Sequence, residues 1–277
     1  MIEIPEAYAI SKQMNQELVG KKIEEVIAVQ NPHKMAWYYE DPQDYPKKLK
    51  NKVIEKVENI NGIVEISLSD TKLVFNEGIR FKYATDKKEL PKKHQLLLRF
   101  EDQTYLAAFV QMYGGIFCFK DGVLTNPYYL VHKEKPNPLE KAFDFEYFKS
   151  LIDNLDSDNI SIKAFLATEQ RIPGLGNGVL QDILWRAKIH PKRKLNSLSD
   201  EEIQTLFHAI KDSLKEMAHL GGRDTETDLY GKNGGYQTIM SKNNKEKQCP
   251  NCQGEVIKKA YMGGSIYYCE NCQPEKQ

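Results

Sequence analysis

The stretch LATEQRIPGLGNGVLQDILWRAKIHP, residues 166–191, decides how the rest of the chain is read. Its centre, Arg171 to Asn177, is a glycine-punctuated turn leading into a helix, and such a turn aims backbone N–H groups at an anion, typically a phosphate. From Trp185 to Lys194 five basic residues, Arg186, Lys188, Lys192, Arg193 and Lys194, follow one another with no acid among them and an aromatic ring beside them. The chain as a whole has 39 Lys and Arg against 39 Asp and Glu. Against that zero net charge, the local gathering is either an electrostatic footprint for a polyanion or a solvated helix face. A cationic nucleic-acid coat and an acidic tail are both excluded as descriptions of the whole chain.

Toward the C-terminus, a capping box at Ser199-x-x-Glu202 opens a helix with Ile203, Leu206, Phe207, Ile210, Leu214 and Met217 on one face, ending at Gly221-Gly222. The polar, glycine-rich GGRDTETDLYGKNGGYQ that follows carries few apolar side chains and reads as a flexible loop. Beyond it, Cys249-Pro-Asn-Cys252 and Cys269-Glu-Asn-Cys272, with sixteen residues between the pairs, have the spacing of a four-thiolate tetrahedral zinc site. Val256, Ile257, Tyr261, Ile266 and Tyr268 between them suit a β-hairpin too small to hold itself together without metal. With all four positions filled by sulfur, one Zn2+ would be structural rather than catalytic; the competing reading is reactive or disulfide-forming pairs. Cys118, between Phe117 and Phe119, is expected to be a buried, inert thiol.

Toward the N-terminus, Ala7, Ile10, Met14 and Leu18 after Pro5 predict an amphipathic helix that stops at Gly20. From Ile23 to about Phe119 the period changes to two, as in Val64, Ile66, Leu68 and again in Leu96, Leu98, Phe100, which predicts half-buried antiparallel strands. Turns at Glu101–Gln103 and a further hairpin at Asp121-Gly122 favour a sandwich or barrel over a parallel sheet. Pro127, Pro136 and Pro138, interleaved with charges, predict a stiff boundary between domains. No stretch approaches the roughly 20 apolar residues that span a bilayer, and the opening MIEIPEAYAISKQ lacks the order of a signal peptide, so a cytoplasmic protein is expected.

Together these motifs resemble the formamidopyrimidine-DNA glycosylase and endonuclease VIII family of base-excision repair enzymes, over nearly the whole chain. Residues 166–191 resemble its helix-two-turn-helix signature, CPNCQGEVIKKAYMGGSIYYCENCQ (249–273) its C-terminal zinc finger, Glu3-Ile4-Pro5-Glu6 its acidic N-terminal signature, and the strand-rich segment its β-sandwich. The resemblance implies an α+β fold: an N-terminal helix with an antiparallel β-sandwich (1–130), a helix-two-turn-helix DNA-binding domain (131–222), a flexible loop (223–244) and a zinc-finger β-hairpin (245–277). It implies double-stranded DNA with a damaged base or abasic site in the cleft, and a monomeric protein. It also implies a chemistry in which a chain-terminal amine attacks the sugar C1′, expels the base and forms a Schiff base that permits strand cleavage, while a glutamate moves protons.

Carried over position by position, Met1, Ile2, Glu3 and Glu6 are the catalytic candidates, and Asn177 matches a phosphate-gripping asparagine. Arg186, Lys192 and Arg193 of the basic run are expected on phosphates. Gln111, Met112 and Tyr113, ahead of Gly114, match residues inserted into the duplex as a wedge; the alternative for Met112 and Tyr113 is strand residues packed in the sandwich. Cys249, Cys252, Cys269 and Cys272 match the metal ligands. Three positions depart from the family pattern. Ile2 stands where most members have a nucleophilic proline, so Met1 is expected to be retained and to offer a primary amine of ordinary pKa about 7.7–8.0, displaced by one residue. Ile63 replaces a phosphate-binding lysine, and Gly264 an arginine that follows a glycine. Three functions are compatible with this pattern: a glycosylase and AP lyase whose loop from Arg223 to Tyr236 covers the flipped base, a protein that recognises damaged DNA without cutting it, and a zinc-stabilised interaction module unrelated to DNA.

Overall fold

A computed structural model describes residues 1–76, 78–244 and 248–275. Helix α1 (Ile4–Leu18) has Pro5 in its first turn, where a missing N–H costs nothing, and buries Ala7, Ile10, Met14 and Leu18, the face its periodicity predicts. It packs on both the sandwich and the helical half, so whatever precedes it in the chain is set at their junction.

The sandwich contains β1 (Ile23–Ala28), β2 (Ala36–Tyr39), then α2 (Tyr45–Leu49), β3 (Lys56–Ile60), β4 (Ile63–Leu68), β5 (Thr71–Phe75), β6 (Ile79–Ala84), β7 (Leu96–Phe100), β8 (Tyr105–Val110) and β9 (Gly114–Lys120). One sheet runs β1-β7-β8-β6 and the other β2-β9-β5-β4-β3. Neighbours are antiparallel except β2 and β9, a parallel pair at one edge. Val26, Ile66, Leu73, Phe75, Leu98 and Phe100 belong to the core between the sheets. The alternation expected of β4 does not expose its second face, and all six of its residues are buried. The reason is α3 (Pro127–Glu134), whose Tyr129 packs with Ile63, Val74, Phe117 and Phe119. Asp121-Gly122 accordingly closes no hairpin and instead leads out of the sandwich toward α3. That helix lies in the stretch expected to be a stiff linker: the Asn126 side chain accepts from the N–H groups of Tyr128 and Tyr129, with Pro127 in the first turn.

The second half comprises α4 (Phe145–Asp153), α5 (Ile162–Ala167), α6 (Leu180–Arg186) and α7 (Asp200–His219), around Phe148, Phe165, Ile183, Leu206, Ile210 and Leu214. The capping box of Ser199 and Glu202 is present at the start of α7. Strands β10 (Ile257–Tyr261) and β11 (Gly264–Tyr268) form the terminal hairpin; residues 245–247 and 276–277 of the expected zinc-finger segment lie outside the described residues. The stretch 223–244, expected to be a flexible loop, is packed. Arg223, Leu229, Tyr236 and Met240 are all buried, with Leu229 in the sandwich core and Tyr236 in the helical core. Arg223, Asp224, Glu226 and Asp228 all have partners within the protein, as where Gln13 Nε2 donates to Asp228 Oδ2 at 2.9 Å. Among the described residues no helix is long and apolar enough to cross a membrane.

Candidate functional site

Glu3, just ahead of α1, is only 5% exposed. Its Oε1 accepts from Gly178 N–H at 2.9 Å and its Oε2 from Val179 N–H at 2.8 Å. The N–H groups aimed at an anion are thus those of Gly178 and Val179, just after the turn Arg171–Asn177, and the anion is the protein's own Glu3 carboxylate. Close approach explains the glycines here. A Cβ on Gly176 would stand 2.7 Å from the Glu3 carboxyl carbon, and one on Gly178 would stand 1.6 Å from Arg223 Nη1.

Arg223 is buried between two glutamates. Its Nε and Nη2 donate to Glu6 at 2.9 and 2.8 Å, and its backbone N–H donates to the same carboxylate at 3.0 Å. Nη1 lies 3.7 Å from Glu3 Oε1, and Nη2 donates to the Met1 carbonyl at 3.1 Å. Burial pushes the Glu3 carboxyl above its ordinary range, against the pull of Arg223 and with the help of Glu6. Burial acts on Glu6 in the same sense, but there the charge and hydrogen bonds of Arg223 prevail and hold it below that range. Two adjacent carboxylates are thus driven apart in acidity, the pattern that separates a proton carrier from a permanently ionised partner.

The α-amino group of Met1 donates to Glu226 Oε1 at 2.5 Å, and Glu226 Oε2 accepts from Arg80 at 2.9 Å. Ile2 points the other way, into the sandwich core. Position 2 thus supplies an anchor, while residue 1 is held by its ion pair with Glu226. Arg80, Arg223 and Glu226 were not singled out by the sequence reading as members of the site; the available signal was the charge density of RDTETD in a segment too polar to pack on its own.

A cavity of about 390 Å³ brings Met1, Glu3, Met112, Tyr113, Asn177 and Gly264 together. Gln111 is exposed, and of the two residues that could have packed as strand residues Met112 is 63% exposed, which rules packing out for it, while Tyr113 is half-buried. Asn177 Nδ2 donates to the Ser265 carbonyl at 3.0 Å, which ties the glycine turn to the terminal hairpin. Lys163, a further residue that the sequence reading did not include, lines the same cavity. It is 4% exposed, donates to the Tyr261 carbonyl at 2.6 Å, and burial lowers its pKa. Lys192 lies with its ammonium 5.5 Å from the Tyr261 ring centre.

The rest of the basic run does not converge. Arg193 is buried and donates twice to Glu202, at 2.5 and 2.7 Å, while Arg186 pairs with Glu216 and faces a groove between α1 and α7. Both of these expected phosphate contacts are instead held by acids from α7, Glu202 nine residues on from Arg193 and Glu216 thirty on from Arg186. Ile63, expected from the resemblance to stand in place of a lysine, is fully buried and part of the core.

All four candidate metal ligands come together, with the Sγ atoms of Cys249, Cys252, Cys269 and Cys272 within 4.8 Å of one another. The Cys249–Cys272 and Cys252–Cys269 sulfurs are 3.7 and 3.4 Å apart. A disulfide requires about 2.05 Å, whereas a tetrahedral zinc site with Zn–S near 2.3 Å spaces its sulfurs about 3.8 Å apart. The cluster could therefore hold one metal ion, and Trp185 Nε1 donates to Cys249 Sγ at 3.3 Å. Gln181 and Gln273 fix the hairpin to the helical half, through Tyr267 N–H and the Ile189 carbonyl respectively. Cys118, fully buried, has its thiol pushed up to about 12 by burial.

Two family models match the chain: the formamidopyrimidine-DNA glycosylase N-terminal domain over residues 1–112 and the H2TH domain of the same glycosylase over residues 135–228. The formamidopyrimidine-DNA glycosylase of Lactococcus lactis is 29% identical over 280 residues, and that of Streptococcus pneumoniae serotype 4 is 28% identical over 281 residues; each comparison covers 99% of both chains. The fold is also that of the MutM (Fpg) protein of Thermus thermophilus, with a TM-score of 0.82 at 23% identity over 99% of this chain and 100% of that one. The Lactococcus lactis Fpg in complex with DNA containing an abasic site gives 0.84 at 24% identity, over 98% and 99% of the two chains.

Proposed function

This chain belongs to the formamidopyrimidine-DNA glycosylase family, and from that premise we propose that it acts in base-excision repair. It binds double-stranded DNA carrying a damaged base or abasic site between the sandwich and the helical half. There it works as a DNA glycosylase and AP lyase through the Met1 amine and Glu3. The observation that carries this reading is the shared cavity, lined by Met1 and Glu3 together with Met112, Tyr113 and Asn177.

The chemistry follows from the groups in reach. As an ammonium the Met1 amine has no lone pair, and Glu226, 2.5 Å away, is the base at hand to take its proton. The neutral amine then forms a bond to C1′ as the bond from C1′ to the base breaks. A carboxyl with raised pKa, as Glu3 has, is suited to hand the departing base a proton. The amine adduct becomes a Schiff base as the C1′–O4′ bond breaks, O4′ gaining a proton and the nitrogen losing one; loss of a C2′ proton then expels the 3′ phosphate by elimination. A base reaches such a cavity only after leaving the stack, and Met112 and Tyr113 on the rim are suited to fill the space it leaves. Asn177, Lys163 and Lys192 supply polar and cationic groups for the backbone. The four cysteines hold one structural Zn2+, which keeps the hairpin folded against α6 and leaves no coordination position open for water.

A second reading, recognition of damaged DNA without cleavage, is favoured by the ion pair itself. Glu226, itself paired with Arg80 at 2.9 Å, occupies the Met1 amine at 2.5 Å. Borohydride trapping on duplex DNA with one abasic site separates the two, with Glu3→Gln in parallel and the intact mass reporting Met1. A covalent adduct on the Met1 amine is expected. Tight binding without an adduct gives the second reading, and the absence of both overturns the two together.

A further inference from the structure

We infer that an aromatic cavity on the other side of Tyr113 takes up the nucleobase that stands opposite the lesion on the undamaged strand. The inference rests on the proposed binding of damaged duplex. The cavity has a volume of about 390 Å³ and is lined by Trp37, Asn76, Gly78, Tyr113, Phe117 and Tyr128 among others. Among the described residues, Tyr113 is the one common to the linings of this cavity and of the one that contains Met1 and Glu3. Its backbone is closely braced there: a Cβ on Gly78 would fall 1.4 Å from the Tyr113 carbonyl oxygen, so only glycine lets the two segments touch.

Three features of the lining fit a base. Trp37, on edge strand β2, is 49% exposed although it is the largest side chain available for burial, and its ring lies 5.9 Å from that of Tyr113 at 45°. Half-exposed aromatic rings at a DNA-facing surface stack any base, because every base offers a π-face. Asn76 Oδ1 is buried with no hydrogen-bond partner among the described residues. A buried acceptor left unpaired is costly, and each of the four bases carries an N–H on its pairing edge that could satisfy it. The lining named above carries no cation, so it suits neither a phosphate nor an acidic peptide. The position relative to Tyr113 selects which base is meant. If Tyr113 enters the duplex to fill the gap on the lesion strand, the base opposite loses its partner, and this cavity offers it an aromatic lining of which Tyr113 is itself a member.

The test is a thermodynamic cycle on the full-length protein with two duplexes containing an uncleavable reduced abasic site, one with adenine opposite and one with a second abasic site opposite. Wild type is expected to bind the adenine duplex more tightly by about 5- to 150-fold, the range that base–aromatic stacking contributes. Trp37→Ala should erase that preference without changing affinity for the doubly abasic duplex, and Trp37→Phe should retain most of it. Trp37 is half in solvent, so these variants are expected to fold. A preference that survives Trp37→Ala, or an equal loss on both duplexes, overturns the inference while leaving the proposed function intact. No binding of either duplex by wild type would instead refute the DNA-binding reading on which it rests.

Discussion

Replacing Arg223 by Met tests whether the buried charge cluster holds the site together. Methionine keeps most of the volume and removes the charge, leaving Glu3 and Glu6 buried side by side without a cation. Taking one partner from a buried ion pair costs about 3–5 kcal/mol. Here one guanidinium serves two carboxylates, 5% and 2% exposed, and also the Met1 carbonyl, so the upper part of that range, about 4–5 kcal/mol, is expected at pH 8. At about 2–4 °C per kcal/mol for a chain of this size class, the midpoint of thermal unfolding should fall by roughly 8–20 °C. The pH dependence has a definite sign. In wild type the depressed Glu6 contributes stability above its unfolded pKa and loses it as pH falls. Without Arg223, burial raises both carboxyls, and a group with a raised pKa is most stabilising below its unfolded value and loses that contribution as pH rises. The two stability curves should therefore converge between pH 8 and pH 5, and adding Glu6→Gln to Arg223→Met should recover part of the loss. Urea unfolding followed by circular dichroism measures each quantity. A penalty below about 1 kcal/mol, or one that is the same at pH 5 and pH 8, would refute the assignment of Arg223 as the compensating charge.

Cys252→Ser is expected to release the bound ion and unfold the β10–β11 hairpin, read by elemental analysis and by protease sensitivity after residue 244; a metal-free protein with native protease resistance would contradict the four-thiolate site. Gly264→Arg should restore a cation at the cleft, since a Cβ there meets nothing closer than 3.6 Å. It should tighten DNA binding and steepen the logarithmic salt dependence by about 0.9, the increment of one phosphate contact. An unchanged slope would mean that this hairpin tip does not reach the backbone.

What could be read from the sequence was whatever depends on neighbours along the chain. The face of α1, the capping box at Ser199 and the cysteine pairs are all local patterns, and each appears where its spacing puts it. What could not be read depends on segments remote in sequence. The alternation of β4 predicted a wet face because nothing in that strand announces the cover of α3. That helix is hidden in the sequence because Pro127 reads as a breaker, although Asn126-Pro127 is an equally good helix start. The basic run from Arg186 to Lys194 looked like a continuous positive surface because Glu202 and Glu216, which neutralise two of its members, lie on another helix. Residues 223–244 look too polar to pack, and the ion pairs and hydrogen bonds that allow them to pack reach back to residues 1–13 and Arg80.

The three departures from the family pattern are physically of two kinds. Ile2 and Ile63 are built into the cores, with 3% and 0% exposure, so returning a lysine to position 63 would bury an ammonium among Val74, Phe117 and Tyr129 and would cost stability before it could touch DNA. Position 264 is open and can take a side chain without moving a neighbour. The loss at 63 is therefore fixed by packing, and the loss at 264 is not. Under the proposed function, the grip on the backbone near the lesion must come from Asn177, Lys163 and Lys192, and the nucleophile from an amine whose position is set by Glu226. Its reactivity then depends on whether bound DNA draws Glu226 or Arg80 out of the ion pair.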